Sequence, residues 1–290
     1  MIPREHLLRS RRPLPGATRD RDGYLLHWRG CDVMGVINVT PDSFSDGGRH
    51  LAPELAVAAA RDQWAAGAAW IDVGGVSTRP GSAPVAPEVE AARVVPVVRA
   101  LRAAEPGARI SVDTSAADVA REAVAAGADL VNDVRGLRDP ALRSACAELG
   151  VPAVVAHLRG EPATMQDAPT FGDVVVEVVQ ELLAARDAAL GDGVPGVVLD
   201  PGIGFGKTRA HNRALLRATA LLAGLGSPVL VGASRKRTLG DVAGESEPER
   251  RDAASVAAHL FVAERGAALV RVHAVGAHVQ ALRVWRWLDG

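Results

Sequence analysis

Polar and charged side chains occupy the C-terminal ends of a series of short β-branched segments along the chain. In chain order these residues are Asn38, Asp72, Asp113, Asn132, His157, Asp200, Ser234 with Lys236, and Arg271 with His273. A single polar residue at a strand end is usually a cap or a turn residue. Eight successive polar ends, with both signs of charge and two amides, indicate a polar pocket if the fold brings the ends together.

Lysine is rare in this chain, and one lysine lies within this set. Of 33 basic residues, only Lys207 and Lys236 are lysines, and all the others are arginines. An ammonium group is a compact point charge, whereas a guanidinium is a wide planar fork. We therefore predict that Lys236 has a role in the pocket that arginine could not perform. Lys207 lies in the segment GIGFGKT, which lacks the spacing of a nucleotide-binding P-loop, and we interpret it as an anchor of its loop.

The segments that end in these residues are predicted β-strands, and each is followed by an Ala-rich stretch of helical period. The predicted strands span residues 33–39, 70–74, 109–113, 130–133, 153–157, 196–200, 228–232 and 269–273. Alternation of strands and helices predicts a parallel sheet with crossover helices. Eight such units in about 250 residues predict a (β/α)8 TIM barrel in a single α/β domain, with an open doubly wound sheet as the main alternative. In a barrel, all eight polar ends converge on one face.

A short internal repeat supports this regular organisation. The segments WAAGAAWIDV, VAAGADLVND and AERGAALVRV each place a glycine five positions before a polar strand end, pairing Gly67 with Asp72, Gly127 with Asn132, and Gly266 with Arg271. We expect each glycine to end a helix in the left-handed conformation, which glycine adopts readily.

Composition excludes several classes of function. The net charge is −1 and the pI is about 6.7, which argues against nucleic-acid and membrane-surface partners. No apolar run reaches the length that a membrane helix needs. Two cysteines without CxxC spacing predict no disulfide and favour a cytoplasmic setting. Residues 1–22 are rich in Arg and Pro and are predicted to be a flexible leader, which leaves residues 23–290 for the barrel.

Seven motifs carry a resemblance to a known family. They are MGVINVTPDSFSDGG (34–48), DVGGVSTRPGS (72–82), ISVDTS (110–115), LVNDVRG (130–136), LDPGIGFGKT (199–208), LVGASRK (230–236) and VRVH (270–273). In order and spacing they resemble dihydropteroate synthases over most of the chain. The resemblance implies a homodimeric (β/α)8 enzyme that joins 6-hydroxymethyl-7,8-dihydropterin diphosphate to 4-aminobenzoate, with Mg2+ assisting the release of diphosphate.

The resemblance implies a pterin pocket at Asp113, Asn132, Asp200 and Lys236. A pterin edge presents an amine, a ring N–H and a carbonyl in fixed order. Carboxylates can accept from the first two, an amide can both donate and accept, and a slim ammonium can reach the carbonyl. Among these residues Asp113 and Lys236, together with Arg271, are the predicted catalytic groups.

The resemblance also implies sites for the diphosphate and for 4-aminobenzoate. Arg271 and His273 alternate along one strand, so both side chains face the same side, and arginine binds phosphate oxygens well. Asn38 completes the predicted diphosphate site and is the predicted Mg2+ ligand. The predicted 4-aminobenzoate site consists of Phe44, Thr78, Arg79, Pro80, Phe205 and Ser234. The segments TPDSFSDGG and STRPGS are interpreted as closing loops, and Arg235 as a cover for the pocket mouth.

The chain departs from the family pattern at four positions. Val76 replaces a glutamate, Ala116 a common basic residue, Leu158 a methionine and Ala274 an aspartate. The loss of two acidic residues leaves open a non-catalytic, pterin-binding paralogue. A pterin-dependent methyltransferase is a further alternative, against which the motifs STRPG, GFGK and SRK argue.

Overall fold

A computed structural model describes residues 4–39, 48–77, 85–161 and 164–289. The strands within these residues are β1 (Glu5–Ser10), β2 (Thr18–Asp20), β3 (Gly23–Arg29), β4 (Asp32–Asn38), β5 (Trp70–Gly74), β6 (Ile110–Asp113), β7 (Leu130–Asp133), β8 (Ala153–Ala156), β9 (Val197–Asp200), β10 (Leu230–Val231) and β11 (Leu269–Val272). The α-helices are α1 (Gly48–Ala65), α2 (Pro87–Ala104), α3 (Ala117–Ala126), α4 (Pro140–Leu149), α5 (Val174–Gly191), α6 (Arg209–Arg217), α7 (Thr219–Ala223), α8 (Arg237–Ala243), α9 (Asp252–Glu264) and α10 (Val275–Asp289).

The main sheet is a closed barrel. Its eight strands are parallel and follow the order β10-β11-β4-β5-β6-β7-β8-β9. A parallel bridge between Leu199 of β9 and Val229, the residue before β10, joins the two ends of this order. From β4 to β11 each strand thus lies beside the next one in sequence, and the last strand, β11, pairs with the first, β4, which confirms the predicted (β/α)8 TIM barrel over an open doubly wound sheet.

The barrel interior has an apolar layer and, two residues further along the strands, a polar layer. The apolar layer packs as one cluster that includes Met34, Trp70, Leu130, Val154, Val198, Leu230 and Leu269. Because side chains alternate across a strand, the residue two positions on faces the same way. Those positions hold Asp72 after Trp70, Asn132 after Leu130, Asp200 after Val198 and Arg271 after Leu269. The second layer therefore presents charged and amide groups at the C-terminal mouth.

A small N-terminal sheet covers the opposite end of the barrel, so the prediction of a flexible leader over residues 1–22 is wrong for residues 4–22. Strand β1 pairs antiparallel with β3, which also pairs with β2. Leu8, Leu14 and Leu26 are buried against the apolar layer of the barrel. The barrel begins at Asp32 and not at residue 23. The sequence of β1 does not show the alternation of apolar and polar residues that is typical of a half-buried strand. Its buried positions are His6, Leu8 and Ser10, and only Leu8 is apolar.

The three glycines of the internal repeat have the predicted backbone conformation. Gly67, Gly127 and Gly266 have φ values of 102°, 121° and 87°. A side chain at Gly127 would also collide with Arg102, since an added Cβ would lie 2.8 Å from its Cγ. These turns end the helices and start the strands that carry Asp72, Asn132 and Arg271 to the mouth. No helix among the described residues has the length and apolarity needed to cross a membrane.

Candidate active site

Arg271 is the centre of an ionic network at the barrel mouth. Its Nε donates to Oδ2 of Asp72 at 2.6 Å, and its Nη2 donates to Oδ2 of Asp113 at 2.9 Å. Asn132 donates from Nδ2 to the same Asp72 oxygen at 3.1 Å. The network brings together side chains from β5, β6, β7 and β11, so the predicted convergence of these strand ends is observed.

Asp72 is the most deeply buried member of this network. The sequence pattern predicts its position at a strand end and gives it no further role. It is fully buried, and its Oδ1 atom has no hydrogen-bond partner among the described residues. Since Asn132 donates its amide N–H to Asp72, the carbonyl oxygen of that amide is left to accept from a ligand. Asp72 therefore orients both a cation and an amide of the pocket.

Burial changes the acid–base properties of Asp113. Removal of the carboxylate from water raises its pKa to about 7, and Arg271 opposes this shift. The nearby Asp72 carboxylate raises the pKa further by repulsion. Asp113 is thus able to hold or release a proton near neutral pH.

Asp200 and Lys236 face the same mouth from β9 and from the loop after β10. Oδ1 of Asp200 accepts from the backbone N–H of Gly202 at 2.7 Å, and burial raises the pKa of this carboxyl while Lys236 lowers it. The Lys236 ammonium donates to the carbonyl of Ile203 and lies 4.2 Å from the centroid of the Phe205 ring. Burial lowers the pKa of Lys236 to about 8, and Asp200 opposes that shift.

The glycine-rich loop after β9 is shaped around the two lysines. An added Cβ at Gly204, where φ is +85°, would lie 2.9 Å from Cδ of Lys236. Lys207 is buried and donates to the carbonyls of His157, Gly202 and Phe205 at 3.2, 3.0 and 2.9 Å. This geometry agrees with the interpretation of Lys207 as a loop anchor.

Ser234, His273 and Asn38 lie at the edge of the mouth. Oγ of Ser234 is 2.9 Å from Nδ1 of His273 and accepts from the His273 backbone N–H at 3.2 Å. His273 is exposed. Asn38 is also exposed and ends β4, the neighbour of the strand that bears Arg271.

The prediction that Arg235 covers the pocket mouth is wrong. Its guanidinium makes two hydrogen bonds to Asp252 of α9, with Nε and Nη2 at 2.7 and 2.9 Å from the carboxylate oxygens. The backbone of Arg235 is left-handed, with φ at +59°, and this turn places the guanidinium against α9. The remaining predicted 4-aminobenzoate residues Phe44, Thr78, Arg79 and Pro80 lie outside the described residues, whereas Phe205 is partly buried beside Lys236.

A metal-binding role for Asn38 is compatible with the donors present. In the part of the chain that the structure describes, no group of three or more His, Cys, Asp or Glu side chains could hold a metal ion. Mg2+ commonly takes only one or two protein ligands and keeps waters and substrate phosphates in its shell. A single amide oxygen beside the strand of Arg271 fits that pattern.

Comparison with known proteins identifies the same barrel in other organisms. Residues 34–273 match the family model described as pterin binding enzyme. The dihydropteroate synthase of Mycobacterium leprae is 49% identical over 261 residues, which cover 87% of this chain and 91% of the relative. The structure of Xanthomonas albilineans dihydropteroate synthase with 4-aminobenzoic acid has a TM-score of 0.87 at 46% identity and covers 96% of this chain and 99% of that one. A structure of the same enzyme in complex with 7,8-dihydropteroate has a TM-score of 0.83 at 44% identity, covering 92% and 96%.

Proposed function

The chain belongs to the dihydropteroate synthase family, a transferase family of folate biosynthesis, and we propose that the residues at its barrel mouth perform the reaction of that family. The reaction joins 6-hydroxymethyl-7,8-dihydropterin diphosphate to 4-aminobenzoate and releases diphosphate. The observation that supports this assignment best is the network in which Arg271 binds Asp72 and Asp113 and Asn132 binds Asp72, with Asp200 and Lys236 at the same mouth. The relatives are named as synthases, so neither the non-catalytic paralogue nor the methyltransferase gains support.

The pterin ring is proposed to lie among Asp113, Asn132, Asp200 and Lys236. Asn132 presents its carbonyl oxygen, because its N–H group is already bonded to Asp72. Asp200 has one oxygen bonded to Gly202 and accepts from the ring with the other. The Lys236 ammonium donates to the ring carbonyl. A slim, dehydrated ammonium fits between Phe205 and the ring edge where a planar guanidinium does not.

The diphosphate is proposed to lie on the side of Arg271 and His273. Asp72 holds the Nε atom of Arg271 and Asp113 holds one N–H of its Nη2 atom, so Nη1 and the second N–H of Nη2 are the donors proposed to reach phosphate oxygens. His273, whose Nδ1 lies 2.9 Å from Oγ of Ser234, adds a further donor at the edge of the site. Asn38 would hold Mg2+ there, which supplies positive charge that makes the diphosphate a better leaving group.

In the proposed reaction, the bond between the pterin methylene carbon and the diphosphate oxygen breaks, and its electron pair leaves with the diphosphate. The methylene carbon develops positive charge, and the buried carboxylates of Asp113 and Asp200 stabilise that charge. The neutral amine of 4-aminobenzoate attacks with its lone pair, forms the new C–N bond and then transfers one proton to the departing diphosphate. Phe205 and Ser234 are proposed to contact 4-aminobenzoate.

Three further properties are proposed along with this reaction. We expect a homodimer, for which the exposed Val284, Trp287 and Leu288 on α10 offer an apolar surface, with Trp285 beside them. We expect a cytoplasmic location. We also expect dependence on Mg2+. Light scattering after size-exclusion chromatography tests the dimer, and a monomer at assay concentrations would contradict it.

The proposed function is tested by turnover of the purified protein with both substrates, with and without Mg2+. We expect 7,8-dihydropteroate and diphosphate in equal amounts, and strong loss of product in Asp200→Asn. Asp192→Asn is the matched control, because Asp192 pairs with Arg143 at 2.6 Å on the outside of the barrel. Absence of product from the wild-type protein would refute the proposal.

A further inference from the structure

Lys236 enters the pocket from a turn, residues 233–236, whose backbone is strained. Within it, Arg235 has a φ of +59°, a conformation that residues with a Cβ rarely adopt. The turn separates two neighbouring cations, since Arg235 contacts α9 whereas Lys236 contacts Ile203 and Phe205. Strained backbone at a functional site persists only where surrounding contacts determine it.

One face of α9 provides those contacts. Asp252 binds the Arg235 guanidinium at 2.7 and 2.9 Å, and Oγ of Ser255 accepts from the Arg235 backbone N–H at 2.9 Å. His259 accepts from the backbone N–H of Ala233 at 3.1 Å. These three helix residues are spaced by three and four positions, so they lie on one face of α9. Arg251, just before the helix, donates to the Arg235 carbonyl at 3.0 Å.

Two buried histidines, His259 and His278, connect this face of α9 to the segment that follows β11. Nε2 of His259 accepts from Ala233, so its proton is on Nδ1, which lies 2.8 Å from Nε2 of His278. His278 in turn donates from Nδ1 to the carbonyl of Ala274 at 2.8 Å. Both rings are 1% exposed, and burial lowers the pKa of each, which keeps them neutral. The bonds connect the turn of Lys236 with the segment that follows β11.

We propose that Asp252, Ser255 and His259 form a positioning surface that holds Arg235 in its left-handed conformation and thereby directs the Lys236 ammonium into the pocket. None of the three contacts the proposed substrate atoms, so they act through the turn. The proposal rests on the proposed role of Lys236 at the pterin site. It gives Arg235 a function that is separate from substrate contact.

The chain itself offers a direct readout of this positioning. Lys207 and Lys236 are its only lysines, so protein labelled with 13C at lysine Cε gives two lysine resonances in NMR spectra. The Lys236→Arg variant assigns them. In Asp252→Asn we expect the Lys236 resonance and its titration midpoint to move, while the Lys207 resonance stays in place. Asp192→Asn, which breaks a comparable ion pair elsewhere, should move neither.

Steady-state kinetics provide the second readout. We expect Asp252→Asn to raise the KM for the pterin diphosphate roughly tenfold, the effect of one weakened charge-assisted hydrogen bond. The KM for 4-aminobenzoate and the melting temperature should stay near those of Asp192→Asn. If Asp252 acts through Arg235, Asp252→Ala should have no further effect in an Arg235→Ala background. Ser255→Ala is the second variant if Asp252→Asn does not fold.

The outcomes separate the two proposals. An unmoved Lys236 resonance in folded Asp252→Asn and Ser255→Ala overturns the positioning role. Equal effects on both KM values that track a loss of stability overturn it as well. A wild-type protein without turnover refutes the proposed function, while the NMR comparison still decides the positioning.

Discussion

Nε of Arg271 donates to Oδ2 of Asp72 across 2.6 Å, joining β11 to β5 on the inner face of the barrel. The carboxylate is fully buried and the guanidinium is partly exposed, with 25% of its side chain accessible. Asp113 accepts from Nη2 at 2.9 Å, so Arg271 is oriented before any substrate arrives, with Nη1 directed by both carboxylates. Such orientation in advance is what electrostatic catalysis requires.

Asp72→Asn tests this orientation. An amide of the same shape can still accept hydrogen bonds from Arg271 and Asn132, but it lacks the negative charge that fixes the guanidinium. We expect the KM for the pterin diphosphate to rise by about tenfold, because hydrogen bonds to a charged partner contribute about 1.5–3 kcal/mol and neutral ones about half of that. Steady-state kinetics with both substrates measure the change. An unchanged KM would show that Asp72 has no part in placing these groups.

Lys236→Arg tests why a lysine occupies this position. The guanidinium keeps the charge but is too wide for the space beside Phe205 and Gly204. We expect the dissociation constant for the pterin substrate to rise at least tenfold, a loss of about 1.4 kcal/mol. Isothermal titration calorimetry measures it. Wild-type affinity in the variant would refute the proposed role of Lys236.

The pH dependence of pterin binding should follow the protonation of the Lys236 ammonium. Because burial lowers the pKa of Lys236 to about 8, the ammonium loses its proton as the pH rises through that value. Affinity should therefore be highest below about pH 8 and decline above it. In Lys236→Arg this decline should be absent, since arginine stays protonated. Titrations of both proteins between about pH 6 and 9.5 make the comparison, and identical profiles would contradict the assignment.

Gly204→Ala separates contact with Lys236 from backbone strain. Gly204 and Gly226 have nearly the same φ, +85° and +86°, but a Cβ meets Lys236 at Gly204 and nothing within 4 Å at Gly226. Both alanine variants should lose about 1–2 kcal/mol of unfolding free energy, the cost of a left-handed alanine. Only Gly204→Ala should also raise the KM for the pterin diphosphate. An equal KM for the pterin diphosphate in the two variants would show that the contact between Gly204 and Lys236 has no part in the site.

The raised pKa of Asp113 predicts that the free energy of unfolding changes with pH. Burial raises its pKa to about 7, above the value of about 3.9 for an unfolded aspartate. Between these values the native state binds more protons than the unfolded state, so stability falls as the pH rises through this window. Relative to Asp113→Asn, the wild-type free energy of unfolding should therefore drop by at least ~1 kcal/mol from about pH 4 to about pH 7.5. Urea unfolding at both pH values measures it, and a constant difference would contradict the shift.

The fold was largely predictable because strand runs and helix-ending glycines repeat along the chain. The strand predicted at 70–74 is observed at Trp70–Gly74, and the one predicted at 130–133 at Leu130–Asp133. Strand β1 of the N-terminal sheet is not predictable from its pattern, because two of its three buried positions, His6 and Ser10, are polar. The strands of this sheet are specified by the open end of the barrel that they cover, which a local pattern does not reveal.

The site was predictable where strand ends define it and not where long-range contacts do. Asp113, Asn132, Asp200 and Arg271 follow from the period of two along each strand. The contact between Arg235 and Asp252 cannot be predicted in this way. A left-handed turn at Arg235, a residue other than glycine, decides which way its side chain faces. Likewise, Asp72 could be placed at the mouth, but its pairing with Arg271 depends on the register of strands far apart in sequence.

The most direct test of the site is a crystal structure of the protein with the pterin diphosphate bound and 4-aminobenzoate absent. We predict the ring edge within hydrogen-bond distance of Asp113, Asn132 and Asp200, the Lys236 ammonium on the ring carbonyl, and the diphosphate on Arg271 and His273. A pterin ring bound elsewhere, with these side chains free of it, would contradict the account.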